Sequence, residues 1–168
     1  MRFRTATRSD ATSLAAISIE VWLGTYIRKG INDFFATYAL THFTASRFEA
    51  LVGSETDHII VSQNEDGIDG FIHIAFDSPA PVQGCSTVEI AKLYVQPRHQ
   101  GKGLGKGLLE EAYGVCRARA CSSIWLTVNS NNPSAISFYN GQGFVHVGQT
   151  VFRIDEQAYP NEVLAKVL

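Results

Sequence analysis

Glycines at positions 101, 103 and 105 stand where a strand-like pattern gives way to a helix-like one. Thr87–Val95 reads as a strand and Pro97–Gly103 as a turn. Beyond it, Leu104, Leu108, Leu109, Ala112 and Val115 recur at core-facing helical spacing, which predicts a helix to about Ala120. Glycine lets the main chain turn tightly and lets a ligand approach the backbone. The first amides of a helix have no intrahelical acceptor, and the helix dipole favours negative charge beside them. The junction therefore predicts a cradle for a phosphate or pyrophosphate. It is not the dinucleotide fingerprint G-x-G-x-x-G. Counted from Gly101 the last position is Lys106, and counted from Gly103 it is Leu108. It is not a Walker loop either, because Lys106 stands where that motif needs glycine.

The remaining chain switches between strand and helix periods. Arg2–Ala6 predicts an opening strand. Ser9-Asp10 offers a helix cap, and Leu14, Ile17, Val21 and Trp22 predict an amphipathic helix over Ala11–Leu23. Shorter helices are expected over Asp33–Leu40 and Thr44–Val52. His58–Ser62 and Gly70–Phe76 read as strands joined through the turn residues Asn64-Glu65-Asp66-Gly67. Ser123–Val128 predicts a strand, Pro133–Asn140 a helix, and Phe144–Phe152 and Glu162–Leu168 two closing strands. With no internal repeat or linker, the 168 residues are expected to form a single α/β (α+β) domain, a mixed sheet with helices on both faces.

Composition narrows the function classes. The net charge is −2 with no basic stripe, so no nucleic-acid partner is expected. No run approaches the roughly 20 apolar residues of a membrane span, and Met1-Arg2-Phe3-Arg4-Thr5 lacks the apolar run of a signal peptide. Cys85, Cys116 and Cys121 are odd in number and lack paired spacing, which reads as free thiols rather than a disulfide framework. A cytoplasmic location follows as the expectation. His42, His58, His99 and His146 show no metal-ligand spacing, so no metal is expected.

Gln100-Gly101-Lys102-Gly103-Leu104-Gly105, preceded by Leu93-Tyr94-Val95 and Pro97, resembles the coenzyme-A signature Q/R-x-x-G-x-G/A of the GNAT superfamily of N-acetyltransferases. A downstream segment, Asn132-Pro133-Ser134-Ala135-Ile136-Ser137-Phe138-Tyr139 ending in Gly143-Phe144, is similar to that family's N-x-x-A-x-x-x-Y…G-F stretch. The resemblance is specific over Val88–Phe144. It implies a GNAT-like, mostly antiparallel sheet of about seven strands flanked by helices, with acetyl-CoA as cofactor. It also implies that the turn's amides hold the pyrophosphate and that Leu93, Tyr94 and Val95 meet the pantetheine arm, mainly through backbone groups. Lys102 and Lys106 would add positive charge. Asn132 and Ala135 would sit by the pantetheine, and Tyr139 by the sulfur, where it would protonate the departing thiolate.

Acetyl transfer needs an unprotonated amine, so a base is useful. Glu89 is the candidate: on ideal alternation it shares a strand face with Ala91, Leu93 and Val95. Several members of the family are similar in carrying Glu at that place. His73 is the rival. For the acceptor, Trp22 and Tyr26 are candidate pocket walls, and Glu20, Asp33 and Glu89 could bind a cationic amine. Glu20-Val21-Trp22-Leu23-Gly24-Thr25-Tyr26 together with Glu89–Val95 looks somewhat like bacterial polyamine acetyltransferases. The expected reaction is direct attack by a small-molecule primary amine on the thioester. The alternatives are a non-catalytic acyl-CoA sensor and a protein N-terminal acetyltransferase. A homodimer through the C-terminal strands is a further expectation.

Overall fold

The computed structural model describes residues 2–27 and 29–168. The elements run β1 (Arg2–Thr5), a 3₁₀ turn (Arg8–Asp10), α1 (Ala11–Tyr26), α2 (Asp33–His42), α3 (Ala45–Val52), β2 (Asp57–Gln63) and β3 (Ile68–Ala75). They continue with β4 (Glu89–Val95), a 3₁₀ turn (Pro97–His99), α4 (Leu104–Ala118), β5 (Ser123–Asn129), α5 (Pro133–Gly141), β6 (Val145–Ile154) and β7 (Gln157–Val167). The strands form a seven-stranded sheet in the order β1-β2-β3-β4-β5-β7-β6. β1 with β2, β5 with β7 and β6 with β7 pair antiparallel, whereas β4 and β5 pair parallel. This is the mixed, mostly antiparallel sheet flanked by helices that the sequence implies.

By backbone contacts the chain forms two compact units. The first takes the chain up to Ile74 together with Lys92–Ala112. Its core gathers Leu14, Ile17, Phe48, Ile59, Val61 and Phe71, all under 5% exposed. Phe48 meets Phe71 edge-on at 5.8 Å, and Phe71 meets Tyr94 at 5.6 Å. Two glycines here answer to close approach. A Cβ on Gly70 would lie 3.0 Å from the Tyr94 carbonyl oxygen. A Cβ on Gly107 would lie 2.3 Å from Cζ of Phe3, so the Phe3 ring packs against the first turn of α4 in the place a side chain at 107 would take.

The second unit is Ala75–Ala91 with Tyr113–Leu168. β5 and β7 pair along their length, from Ser123 opposite Val167 to Asn129 opposite Asn161. Ile124, Leu126, Val163 and Leu164 fill its core.

The structure departs from the sequence reading at three boundaries. The helix entry begins earlier than Ser9-Asp10. Asp10 does precede α1, but its Oδ2 accepts from Thr7 N–H at 2.7 Å, and Arg4 grips both of its oxygens at 2.7 and 2.9 Å. The carboxylate thus closes a 3₁₀ turn instead of capping α1. α1 itself runs past Leu23 to Tyr26. β7 starts at Gln157 rather than Glu162, because the hairpin that feeds it turns on Asp155 in the left-handed region, at φ +51. Its first residues are solvated and include Pro160, so they carry no apolar alternation to reveal them.

Candidate active site

In the first unit, β4 leads into the glycine turn. Gln100 ties the turn to the strand end: its Nε2 donates to Val95 O at 3.1 Å and its N–H to Pro97 O at 3.3 Å. Gly101 and Gly103 then take φ of +74 and +83, in the left-handed region that other residues avoid. A Cβ built on either meets no protein atom within 4 Å, so both open onto free space. α4 begins at Leu104, whose side chain is 4% exposed and anchors the helix start. Gly107 N–H bonds Gly103 O at 3.0 Å. Among the described residues, no carbonyl is recorded as acceptor for the amides of Gly101, Lys102, Gly103, Leu104, Gly105 and Lys106. Lys102 and Lys106 are exposed beside them. Leu93 and Tyr94 are half-buried, and Val95 is buried. Just beyond β4, the Gln96 amide donates to Glu20 of α1 at 2.9 Å.

Two of the acceptor candidates serve packing in this unit. Trp22 is 4% exposed and lies among Tyr26 at 4.8 Å, Tyr38 at 4.7 Å and Phe35 at 5.8 Å. Tyr26 covers its ring and is itself half-buried. His73 is 4% exposed, and its Nε2 meets Asp57 Oδ1 at 2.6 Å. Burial holds the His73 imidazole below its ordinary pKa, against the opposing pull of Asp57, and so favours the neutral ring.

The second unit holds the other site residues. Glu89 opens β4 opposite Trp125 of β5. It is half-buried, and Ser78 Oγ donates to its Oε2 at 2.6 Å. Ser78 is fixed in turn by the Trp125 indole, whose Nε1–H donates to the Ser78 carbonyl at 3.0 Å. Neither Ser78, in the loop between β3 and β4, nor Trp125 stands among the candidates the sequence offers. Neither carries a local signal, because the contact spans eleven residues in one case and forty-seven in the other.

α5 presents the second motif. Asn132 Oδ1 accepts from Ala135 N–H at 3.1 Å, and Pro133 begins the helix. Ala135 is half-buried on the first turn. Tyr139 is 9% exposed, with Phe138 at 5.2 Å and Phe144 at 5.5 Å around its ring. Burial, and then the neighbouring Tyr113, push its hydroxyl well above the usual tyrosine pKa, so it keeps its proton through the neutral range. Among the described residues, no cluster of His, Cys, Asp or Glu could hold a metal, and no helix is long and apolar enough to cross a membrane.

The turn fits a diphosphate group. Two left-handed glycines with open space over them, a run of amides without carbonyl partners and a helix N-terminus are the features an anion requires. The family model of the GNAT acetyltransferases matches residues 26–144, well over half of the chain. The chain belongs to the GNAT acetyltransferase family, and by class it is an acetyl-CoA-dependent N-acetyltransferase. An uncharacterized N-acetyltransferase of Mycobacterium tuberculosis (strain ATCC 25618 / H37Rv) is 22% identical over 161 residues, 95% of this chain and 99% of that protein. The streptothricin acetyltransferase of Streptomyces lavendulae is 37% identical over 59 residues, 35% of this chain and 31% of that one. Among solved structures, the PaiA N-acetyltransferase of Thermoplasma acidophilum in complex with coenzyme A shares the fold. It has a TM-score of 0.76 and 18% identity, over 99% of this chain and 98% of that one.

Proposed function

We propose that this enzyme acetylates a primary amine of a small molecule in the cytoplasm, with amine and acetyl-CoA bound together and the amine attacking directly. The observation that carries the reading is the open left-handed turn at Gly101 and Gly103, leading into amides that no carbonyl among the described residues accepts from. Acetyl-CoA supplies an acyl carbon activated by a thiolate leaving group. The amides of Gly101–Lys106 hold the diphosphate, with Lys102 and Lys106 adding charge at the rim. Backbone groups of Leu93, Tyr94 and Val95 orient the arm and polarise the carbonyl. In the second unit, Asn132 and Ala135 at the head of α5 are the residues assigned to the pantetheine.

Glu89 takes the proton from the amine, directly or through a water. Ser78 holds one carboxylate oxygen, which fixes the orientation of the other. Tyr139 faces the leaving group. Its raised pKa makes complete proton transfer uphill, so its main contribution is a hydrogen bond to the sulfur as negative charge develops there. Positioning supplies much of the rate.

The acceptor class rests on two similarities. The Glu20–Tyr26 segment is similar to that of polyamine acetyltransferases, and one relative acts on streptothricin. Both point to a small amine. Of the acceptor candidates, Tyr26 in the first unit and Glu89 in the second are half-buried and reachable by a ligand, whereas Trp22 and His73, each 4% exposed, pack inward. The test is acetyl transfer from acetyl-CoA to polyamines, amino acids, aminoglycosides, streptothricin and peptides. Turnover of a small amine over every peptide is expected. Preference for a peptide N-terminus would replace the acceptor. Tight coenzyme A binding without turnover of any amine would leave a sensor.

A further inference from the structure

The last turn of α4 ends on a left-handed residue that is not glycine. Ala120 has φ +56. Its N–H reaches Arg117 O at 2.9 Å, and Cys121 N–H reaches back to Cys116 O at 3.0 Å. These are the two nested bonds of a Schellman helix end. Such an end seats the side chain of the residue that donates the long bond against that of the residue that accepts it. Here both are cysteine. Neither is in a disulfide; Cys116 is 1% exposed, and Cys121 is half-buried and reachable from solvent. Burial first, and then the adjacent Cys121 thiol, push the Cys116 thiol up to about 12. The acetyl-transfer reading uses neither sulfur. In the sequence the two look unpaired, and only the reversal of the chain at Ala120 brings them together.

We propose that Cys116 and Cys121 form a dithiol–disulfide couple, oxidised by a small-molecule disulfide, that staples the end of α4 to the segment entering β5. Cys121 loses its proton and attacks one sulfur of the oxidant. The oxidant's S–S bond breaks, one thiolate leaves and takes up a proton, and Cys121 carries the other half as a mixed disulfide. The Cys116 sulfur then gives up its proton and displaces that half as a second thiol, which forms the Cys116–Cys121 bond. The protein loses two electrons and two protons, and the oxidant gains both pairs.

The folded protein is incubated with oxidised glutathione, blocked with iodoacetamide and digested with trypsin. Arg117 and Arg119 both lie between the cysteines, so trypsin releases Cys116 and Cys121 on different peptides unless a disulfide joins them. The expected product is that joined pair, about 2 Da lighter than the two free-thiol peptides together. Dithiothreitol should separate it, Cys85 should be recovered alkylated on its own peptide, and Cys121→Ser should abolish it. Recovery of the two cysteines on separate peptides, alkylated or each carrying glutathione, would overturn the proposal. Pairing of either one with Cys85 would overturn it as well.

Discussion

Replacing Gly103 by alanine separates folding from binding, because the structure provides a matched control. Gly103 sits at φ +83 and Gly84 at φ +84, and a Cβ on either meets nothing within 4 Å. Each alanine therefore costs only the left-handed backbone strain, about 1–2 kcal/mol. At roughly 2–4 °C per kcal/mol for a chain of this size, both variants should melt about 2–8 °C below wild type. Binding should divide them. A Cβ on Gly103 would stand in the open space beside the turn that the diphosphate is proposed to enter, and a lost hydrogen bond to a charged group is worth about 1.5–3 kcal/mol. Coenzyme A affinity should fall at least tenfold, about 1.4 kcal/mol, in Gly103→Ala and stay unchanged in Gly84→Ala. Calorimetric titration with coenzyme A, alongside scanning calorimetry of each variant, reads both quantities. Wild-type affinity in Gly103→Ala, or an equal loss in Gly84→Ala, would refute the cradle.

Other outcomes follow from the second unit and from the helix entry. Tyr139→Phe should lower kcat about 10–100-fold with little change in KM, because the hydroxyl acts on developing charge; an unchanged kcat in steady-state assays would remove Tyr139 from the reaction. Glu89→Gln should lower kcat about 100-fold and Ser78→Ala by a smaller factor, and the double variant should lose no more than Glu89→Gln alone. Additive losses in the same assay would show that Ser78 does not act through Glu89. Arg4, first, and the Thr7 amide hold the Asp10 carboxyl down from 3.8 to about 2. The stability this provides, on the order of 1–2 kcal/mol, is complete above pH about 4 and is lost as the pH falls through about 2. Asp10→Asn should therefore melt lower at neutral pH and show a shallower acid limb. An unchanged acid limb in thermal melts from pH 2 to pH 5 would contradict the assignment.

The parts legible in the sequence are those written locally. α4 announces itself through Leu104, Leu108, Leu109 and Ala112, and the turn before it through glycines that only a left-handed backbone demands. α5 is readable from Asn132 and Pro133 alone. The rest depends on chain brought from elsewhere. Asp10 looks like a cap for α1 until Arg4 and Thr7 claim its oxygens. Trp22 looks like a pocket wall because an aromatic near a glycine reads the same in either role, and only its 4% exposure shows that it packs inward. Ser78 gains meaning from Trp125 and Glu89, which a loop sequence cannot announce. Cys116 and Cys121 become neighbours through a left-handed alanine, a conformation that composition gives no reason to expect.

The central claim is that the backbone amides at the head of α4 hold the diphosphate of the donor. Titration of isotopically labelled protein with coenzyme A, followed by amide NMR, reads those groups one by one. The account predicts the largest shift changes at Gly101–Lys106, and their absence on titration with pantetheine, which lacks the diphosphate. Binding that leaves those six amide signals in place would contradict it.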